Sequence, residues 1–198
     1  LAYWVHDLDP VAVHFPEGWP LRGVHWYGLA YATGFLIAAV LLSRWRRQAL
    51  APVRDAVDES ALITAIMLGV VLGGRLGHVL LYARAEFVAD PLMVFRVWQG
   101  GMASHGGFLG VLLAGVWYAR TRRVPFLAVG DLLCALAPAG ILFGRLANFV
   151  NAELVGRATT VPWAVIFPRE GTQPRHPSQL YEAVGEGLIP LLWMLWRY

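Results

Sequence analysis

Leu132–Phe143, LLCALAPAGILF, runs directly into Gly144–Arg157, GRLANFVNAELVGR. The first stretch has the composition of membrane-buried helix and belongs to a longer apolar span, Phe126–Val150. The second puts Arg145, Asn148, Asn151 and Glu153 at the end of that helix. Such side chains are costly at a membrane helix end unless they meet partners or a ligand. In a membrane segment their default reading is therefore a functional site.

The rest of the chain fits the same environment. It is 58% hydrophobic and only 15% charged, where soluble domains carry about 25% charged residues. Mean hydropathy is +0.53. The apolar residues fall in long blocks separated by short charged ones, the pattern of an all-α, polytopic membrane protein. All 16 Lys-plus-Arg positions are Arg, and they cluster at block ends, with a net charge of only +3. That distribution suits topology signals and excludes a nucleic-acid-binding surface. The single Cys134 excludes a disulfide framework and is expected as a buried small hydrophobe. No His-x-x-x-His or acidic cluster stands at ligand spacing, so no metal and no cofactor is expected. The first twenty residues lack a basic start and an apolar core, so no cleavable signal peptide is expected.

Working outward, about five spans emerge: Trp26–Leu42, Ala61–Tyr82, Gly106–Ala119, Phe126–Val150 and Leu180–Trp196. The third is short and is expected to take in Ser104 and His105. Arg44, Arg46, Arg47 and Arg54 follow the first span, and Arg120, Arg122 and Arg123 follow the third. By the positive-inside rule the N-terminus and the loops 83–103 and 151–178 lie outside. Pro91–Trp98 has an apolar face at helical spacing and reads as an interfacial helix. Trp4, Trp19, Trp26, Trp98 and Trp163 read as interfacial anchors. The whole, 1–198, is expected as one integral membrane domain.

Five polar sets interrupt the apolar pattern. They are His25–Gly28; Gly73–His78, with Arg75; Ser104–Gly107, with His105; the Gly144–Arg157 block, with Asp131 earlier in its span; and Arg175–Glu182, with Glu186 one turn on. All but Arg75 are expected near the outer ends of their spans, which suggests a polar pocket open to the outer leaflet. Each has a bland alternative. Gly73, Gly74 and Gly77 permit close helix packing. Arg75 is either an ion-pair partner of Asp131 or Glu182, or a ligand contact. His25, His78 and Tyr27 suit membrane-end structural positions. Ser178 is a candidate helix cap after Pro177. Glu182 and Glu186 suffice to neutralise arginines.

Arg145 and Arg157 flank Asn148, Asn151 and Glu153. Arg binds phosphate multidentately and Asn supplies orienting hydrogen bonds, so an anionic phospholipid headgroup suits this block. His105, with an ordinary pKa of about 6.5 for its type, suits proton transfer near neutral pH. No Cys, Ser or Lys stands as an obvious nucleophile.

His25-Trp-Tyr-Gly28, Gly73-Gly-Arg-Leu-Gly77, Gly101-Met-Ala-Ser-His105-Gly-Gly107, Gly144–Glu153, Gly156-Arg157 and Arg175–Glu182 stand in one order. That order resembles the bacterial prolipoprotein diacylglyceryl transferase family from about Val24 to Glu182. The resemblance implies a multi-pass inner-membrane enzyme with its site facing the outer leaflet. It would transfer the diacylglyceryl group of phosphatidylglycerol to the lipobox Cys of a preprolipoprotein, the first step of lipoprotein maturation. A thioether and glycerol phosphate would be the products. Its partners are phosphatidylglycerol, the lipobox segment and membrane lipids. The resemblance gives catalytic weight to Tyr27, His105 and Arg145. It also marks Asn148, Glu153 and Gly156 as functional, and with the polar sets the expected substrate contacts are Asn148, Glu153, Gly156, Arg157, Asn151, Gly106, Arg75, His176, Tyr181 and Glu182. It further implies two spans, and an Arg- and Glu-bearing segment, beyond the position of Tyr198. A lipid-binding or transport protein using the same pocket is the alternative; a repeat of broken helices would favour it.

Overall fold

The computed structural model describes residues 2–19, 23–97 and 100–197 and is mostly helical. β1 (Trp4–Val5), β2 (Val11–His14) and β3 (Gly23–His25) precede α1 (Trp26–Arg47) and α2 (Ala56–Leu81). Then come α3 (Arg84–Ala89), a 3-10 turn (Pro91–Phe95), α4 (Ser104–Arg122) and α5 (Phe126–Val150). β4 (Val165–Ile166) and β5 (Pro174–Arg175) lead into α6 (Ser178–Glu182), a π-helical turn (Ala183–Leu188) and α7 (Ile189–Arg197).

Among the described residues, α1, α2 and α5 are long and apolar enough to cross a bilayer, with hydropathies of 1.6, 1.7 and 2.1. α5 covers the expected Phe126–Val150, and α4 takes in Ser104 and His105. The fifth expected span is helical but changes to π geometry in its middle. Pro91–Trp98 begins as a 3-10 turn; Trp98, also expected as an anchor, lies outside the described residues.

The chain divides into two compact units. One comprises Leu42–Leu133; the other comprises the segment up to Leu41 and the segment from Cys134 onward. In the Leu42–Leu133 unit, α2 lies against α4 along a glycine seam. A Cβ on Gly106 would stand 2.1 Å from the Gly73 carbonyl oxygen, and one on Gly110 would stand 1.9 Å from that of Gly69. Spacing of four puts each pair on one helix face. Without side chains between them the two backbones touch, which is how helices associate where no hydrophobic drive exists.

The start of α2 carries two buried acids, Asp58 and Glu59. A desolvated carboxylate needs a partner. Glu59 accepts from Arg46 Nε at 2.7 Å and from Ser43 Oγ. Asp58 pairs with Arg122 at 3.0 Å and Arg54 at 3.8 Å. The charged clusters that read as topology signals thus also fasten the ends of α1, α2 and α4. Asp55 caps α2, accepting from the Val57 and Asp58 N–H groups, so α2 starts before the apolar stretch itself. Those N–H groups, Asp58's foremost, hold the Asp55 carboxyl below its ordinary value.

In the other unit, β1 pairs parallel with β4, which pairs antiparallel with β5, and β2 and β3 form a hairpin. The N-terminal segment closes on the end of α5. The buried His6 donates Nε2–H to the Phe149 carbonyl at 2.8 Å and packs on Phe149 and Phe167. Cys134, expected buried, lies on an exposed face of α5. Apolar composition in a span does not say which face packs.

Candidate functional site

The end of α5 is a Schellman turn. Glu153 N–H reaches the Asn148 carbonyl at 2.9 Å and Ala152 N–H reaches that of Phe149 at 3.0 Å. Ala152 and Leu154 hold φ of +54° and +52°, left-handed values that non-glycine residues rarely adopt. These two residues bracket Glu153 and turn it back toward its own helix.

Three expected side chains meet there. Tyr27 Oη donates to Glu153 Oε2 at 2.5 Å. Asn148 Nδ2 donates to Glu153 Oε2 at 3.2 Å and to Tyr27 Oη. The carboxylate is therefore held by two neutral donors from two helices. Arg145, three residues before Asn148, is on the neighbouring surface of α5. Its Nε contacts Glu182 at 2.9 Å and its Nη2 contacts Glu186 at 3.4 Å. The result is a half-buried guanidinium with two carboxylate counter-ions beside a hydrogen-bonded polar cluster. That arrangement can take an anion when a counter-ion moves.

The Gly156–Arg157 stretch pairs with the Arg175–Glu182 segment. Gly156 N–H donates to the His176 carbonyl at 3.0 Å, and His176 N–H donates to that of Arg157 at 3.1 Å. A Cβ on Gly156 would stand 2.7 Å from the His176 oxygen, so this pairing needs glycine. Tyr181 Oη accepts from Trp163 Nε1 at 2.7 Å and lies 3.1 Å from His176 Nδ1. Arg157 is exposed.

Other expectations change. Asn151 donates its amide to the Ala147 carbonyl of its own helix at 2.8 Å. Ser178 is not a cap; its hydroxyl donates to the Leu154 carbonyl at 2.9 Å. In the Leu42–Leu133 unit, Arg75 makes no ion pair among the described residues. Its buried guanidinium donates to the carbonyls of Val94 at 3.2 Å, Gly101 at 3.1 Å, Met93 and Gly100. Carbonyl dipoles there stand in place of the Asp131 or Glu182 carboxylate that is one of its two readings. Gly106, expected to contact substrate, packs against Gly73 and Gly77. His105, beside it in the first turn of α4, is exposed.

Gln179 was not singled out by sequence. It is fully buried and donates Nε2 to the Glu153 backbone carbonyl. Sequence places it in the Arg175–Glu182 polar set and motif but gives it no role of its own, since a polar residue in Ser178-Gln-Leu-Tyr-Glu reads equally as a solvated helix position.

Fold and site define an integral membrane protein with an arginine-centred anion cluster at the end of a spanning helix. The family model described as prolipoprotein diacylglyceryl transferase matches residues 10–198. Relatives carry the name phosphatidylglycerol–prolipoprotein diacylglyceryl transferase. The one from Methylococcus capsulatus is 46% identical over 96% of this chain and 71% of its own length. The one from Rhodospirillum rubrum is 47% identical over 96% and 69%, and that from Vibrio cholerae is 48% identical over 96% and 68%. The chain belongs to the prolipoprotein diacylglyceryl transferase family.

Proposed function

We propose that this protein transfers the diacylglyceryl group of phosphatidylglycerol to the lipobox cysteine of a preprolipoprotein. The observation that carries the reading is the Tyr27–Asn148–Glu153 cluster beside Arg145, in a chain similar over 96% of its length to transferases so named. The thiol sulfur attacks the glyceryl carbon bonded to the phosphate oxygen. A C–S bond forms, the C–O bond breaks, and glycerol phosphate departs with the electron pair. A thiol with an ordinary pKa near 8.5 gains from a base, and His105 takes its proton. The leaving phosphate needs charge stabilisation, which Arg145 supplies while Asn148 orients it. Tyr27 and Glu153 hold that amide in place. Arg157, Asn151, His176, Tyr181 and Glu182 line the lipid's approach, and Gly156 admits its backbone-level contact. Arg75 and Gly106 support the segment that carries His105.

In this reading 1–198 is a single membrane domain with about five spans in the bacterial inner membrane. α4 and the α6–α7 segment complete the set. The N-terminus and the 83–103 and 151–178 loops are periplasmic, and the site faces the outer leaflet.

The test incubates membranes holding the chain, alone and extended with the C-terminal part of its Methylococcus capsulatus relative, with phosphatidylglycerol and a lipobox peptide. A thioether-linked diacylglyceryl peptide is expected. Its absence from both forms sinks the reading, and lipid binding or flux without product points to the non-catalytic alternative. His105→Gln and Arg145→Ala each abolish turnover with expression intact; full activity in either removes that residue's role.

A further inference from the structure

We infer that Glu186 is a displaceable counter-ion of Arg145, leaving when a phosphate ester anion enters and returning to expel the phosphate product. The inference rests on reading Arg145 as the phosphate contact.

The two carboxylates on Arg145 are not equivalent. Glu182 meets Nε at 2.9 Å with its side chain 33% exposed. Glu186 meets Nη2 at 3.4 Å with its side chain 55% exposed. A charge-assisted N–H···O bond is shorter than the second contact, at about 2.7–2.9 Å. An exposed pair of that length is cheap to break. Nη1 has no partner among the described residues, so withdrawal of Glu186 opens the Nη1–Nη2 edge. That edge offers parallel donors to two phosphate oxygens.

The backbone holds Glu186 in this position. It lies in the π-helical turn Ala183–Leu188, between α6 with Glu182 and α7. π-turns are rare and cluster at functional sites. The next residue, Gly187, seats this turn on α5. A Cβ there would stand 2.6 Å from Leu142 Cα, one turn before Arg145. The carboxylate is therefore carried on a firmly docked backbone, while its own side chain remains exposed and free to swing.

Electrostatics supply the reason for the motion. One guanidinium with two carboxylates is a net negative site, which repels an incoming phosphate anion until one carboxylate withdraws. The product bears the same phosphate with more charge. Return of Glu186 to Nη2 then competes with it.

The test compares wild type, Glu186→Gln and Glu186→Asp, purified in detergent. It measures transfer from phosphatidylglycerol in mixed micelles, inhibition by soluble glycerol phosphate and by inorganic phosphate, and phosphatidylglycerol binding without acceptor peptide. Glu186→Gln lowers KM for the lipid about three- to fivefold. The inhibition constant for glycerol phosphate falls in parallel, kcat does not rise, and the salt dependence of KM flattens. Glu186→Asp restores wild-type behaviour. A matching fall for inorganic phosphate assigns the edge to any free phosphate; a fall confined to the esters assigns it to the headgroup. An unchanged or raised KM in Glu186→Gln, with wild type active, overturns the counter-ion while leaving the transferase reading standing. Wild type that neither binds nor transfers the lipid overturns both.

Discussion

Asn148 and Glu153 are the two ends of one Schellman turn, joined twice. Glu153 N–H bonds the Asn148 carbonyl at 2.9 Å, and Asn148 Nδ2 bonds Glu153 Oε2 at 3.2 Å. Such turns usually bring an apolar pair together at these two positions. Here the pair is polar, and Tyr27 from α1 completes it. The turn that ends α5 is thereby the same object as the polar cluster.

Tyr27→Phe removes the donor at 2.5 Å from Glu153 and leaves the carboxylate to Asn148 alone. A hydrogen bond to a charged group contributes roughly 1.5–3 kcal/mol. We expect kcat/KM for lipid transfer to fall about ten- to hundredfold with normal membrane insertion. Steady-state kinetics on purified protein check it; wild-type kcat/KM would remove Tyr27 from the reaction.

Ala152→Gly tests the backbone of the turn. Alanine at φ +54° bears a steric cost that glycine does not. The left-handed penalty is roughly 1–2 kcal/mol, partly offset by the entropy glycine loses on folding. Stability should rise by up to about 1 kcal/mol, seen as a higher melting temperature in detergent. A lower one would show that the turn is held by something other than its φ values.

Gly106→Ala and Gly110→Ala each place a methyl within 2.1 Å of a backbone oxygen of α2. Backbone yields less than a side-chain tip, so each substitution should cost about 1–3 kcal/mol and lower the yield of folded protein. Gly130→Ala, which meets nothing within 4 Å, is the control and should be neutral or stabilising. Equal melting temperatures across all three would show that the seam does not set α2–α4 packing.

Asp55 predicts a pH effect. Its carboxyl lies below the ordinary value of 3.8, chiefly because the Asp58 N–H bonds its ionised form. A lowered carboxyl pKa means the native state holds fewer protons there than the unfolded chain. Its contribution is therefore full above the ordinary value and is lost as pH falls through the depressed one. Asp55→Asn keeps a capping oxygen but should flatten that acid dependence in thermal melts from pH 6 to 3. The same slope in variant and wild type would assign the dependence to other acids.

Much of this was legible in residues alone. α5 runs over Phe126–Val150 because a predominantly apolar stretch of this length in lipid satisfies its backbone only as helix. Arg145, Asn148 and Glu153 stood out because polar groups at a membrane helix end demand partners. The pairing of Tyr27 with Glu153 was not legible, since 126 positions separate them and only folding brings them together. Arg75 shows the opposite failure. The sequence signals a buried charge and leaves a carboxylate or a ligand open as its partner, but the carbonyls of Met93, Val94, Gly100 and Gly101 take that place. No composition rule encodes where a loop aims its dipoles.

The sequence by itself determined the apolar helices, the family and which polar residues at helix ends demand partners. These follow from transfer free energies and residue types, which are local. Only the tertiary structure decided that α2 meets α4 through bare backbone, that Tyr27 closes the Asn148–Glu153 turn, and that Arg145 carries two unequal counter-ions. Those depend on which faces and turns come within a few ångströms of each other, a property of packing rather than of any one segment.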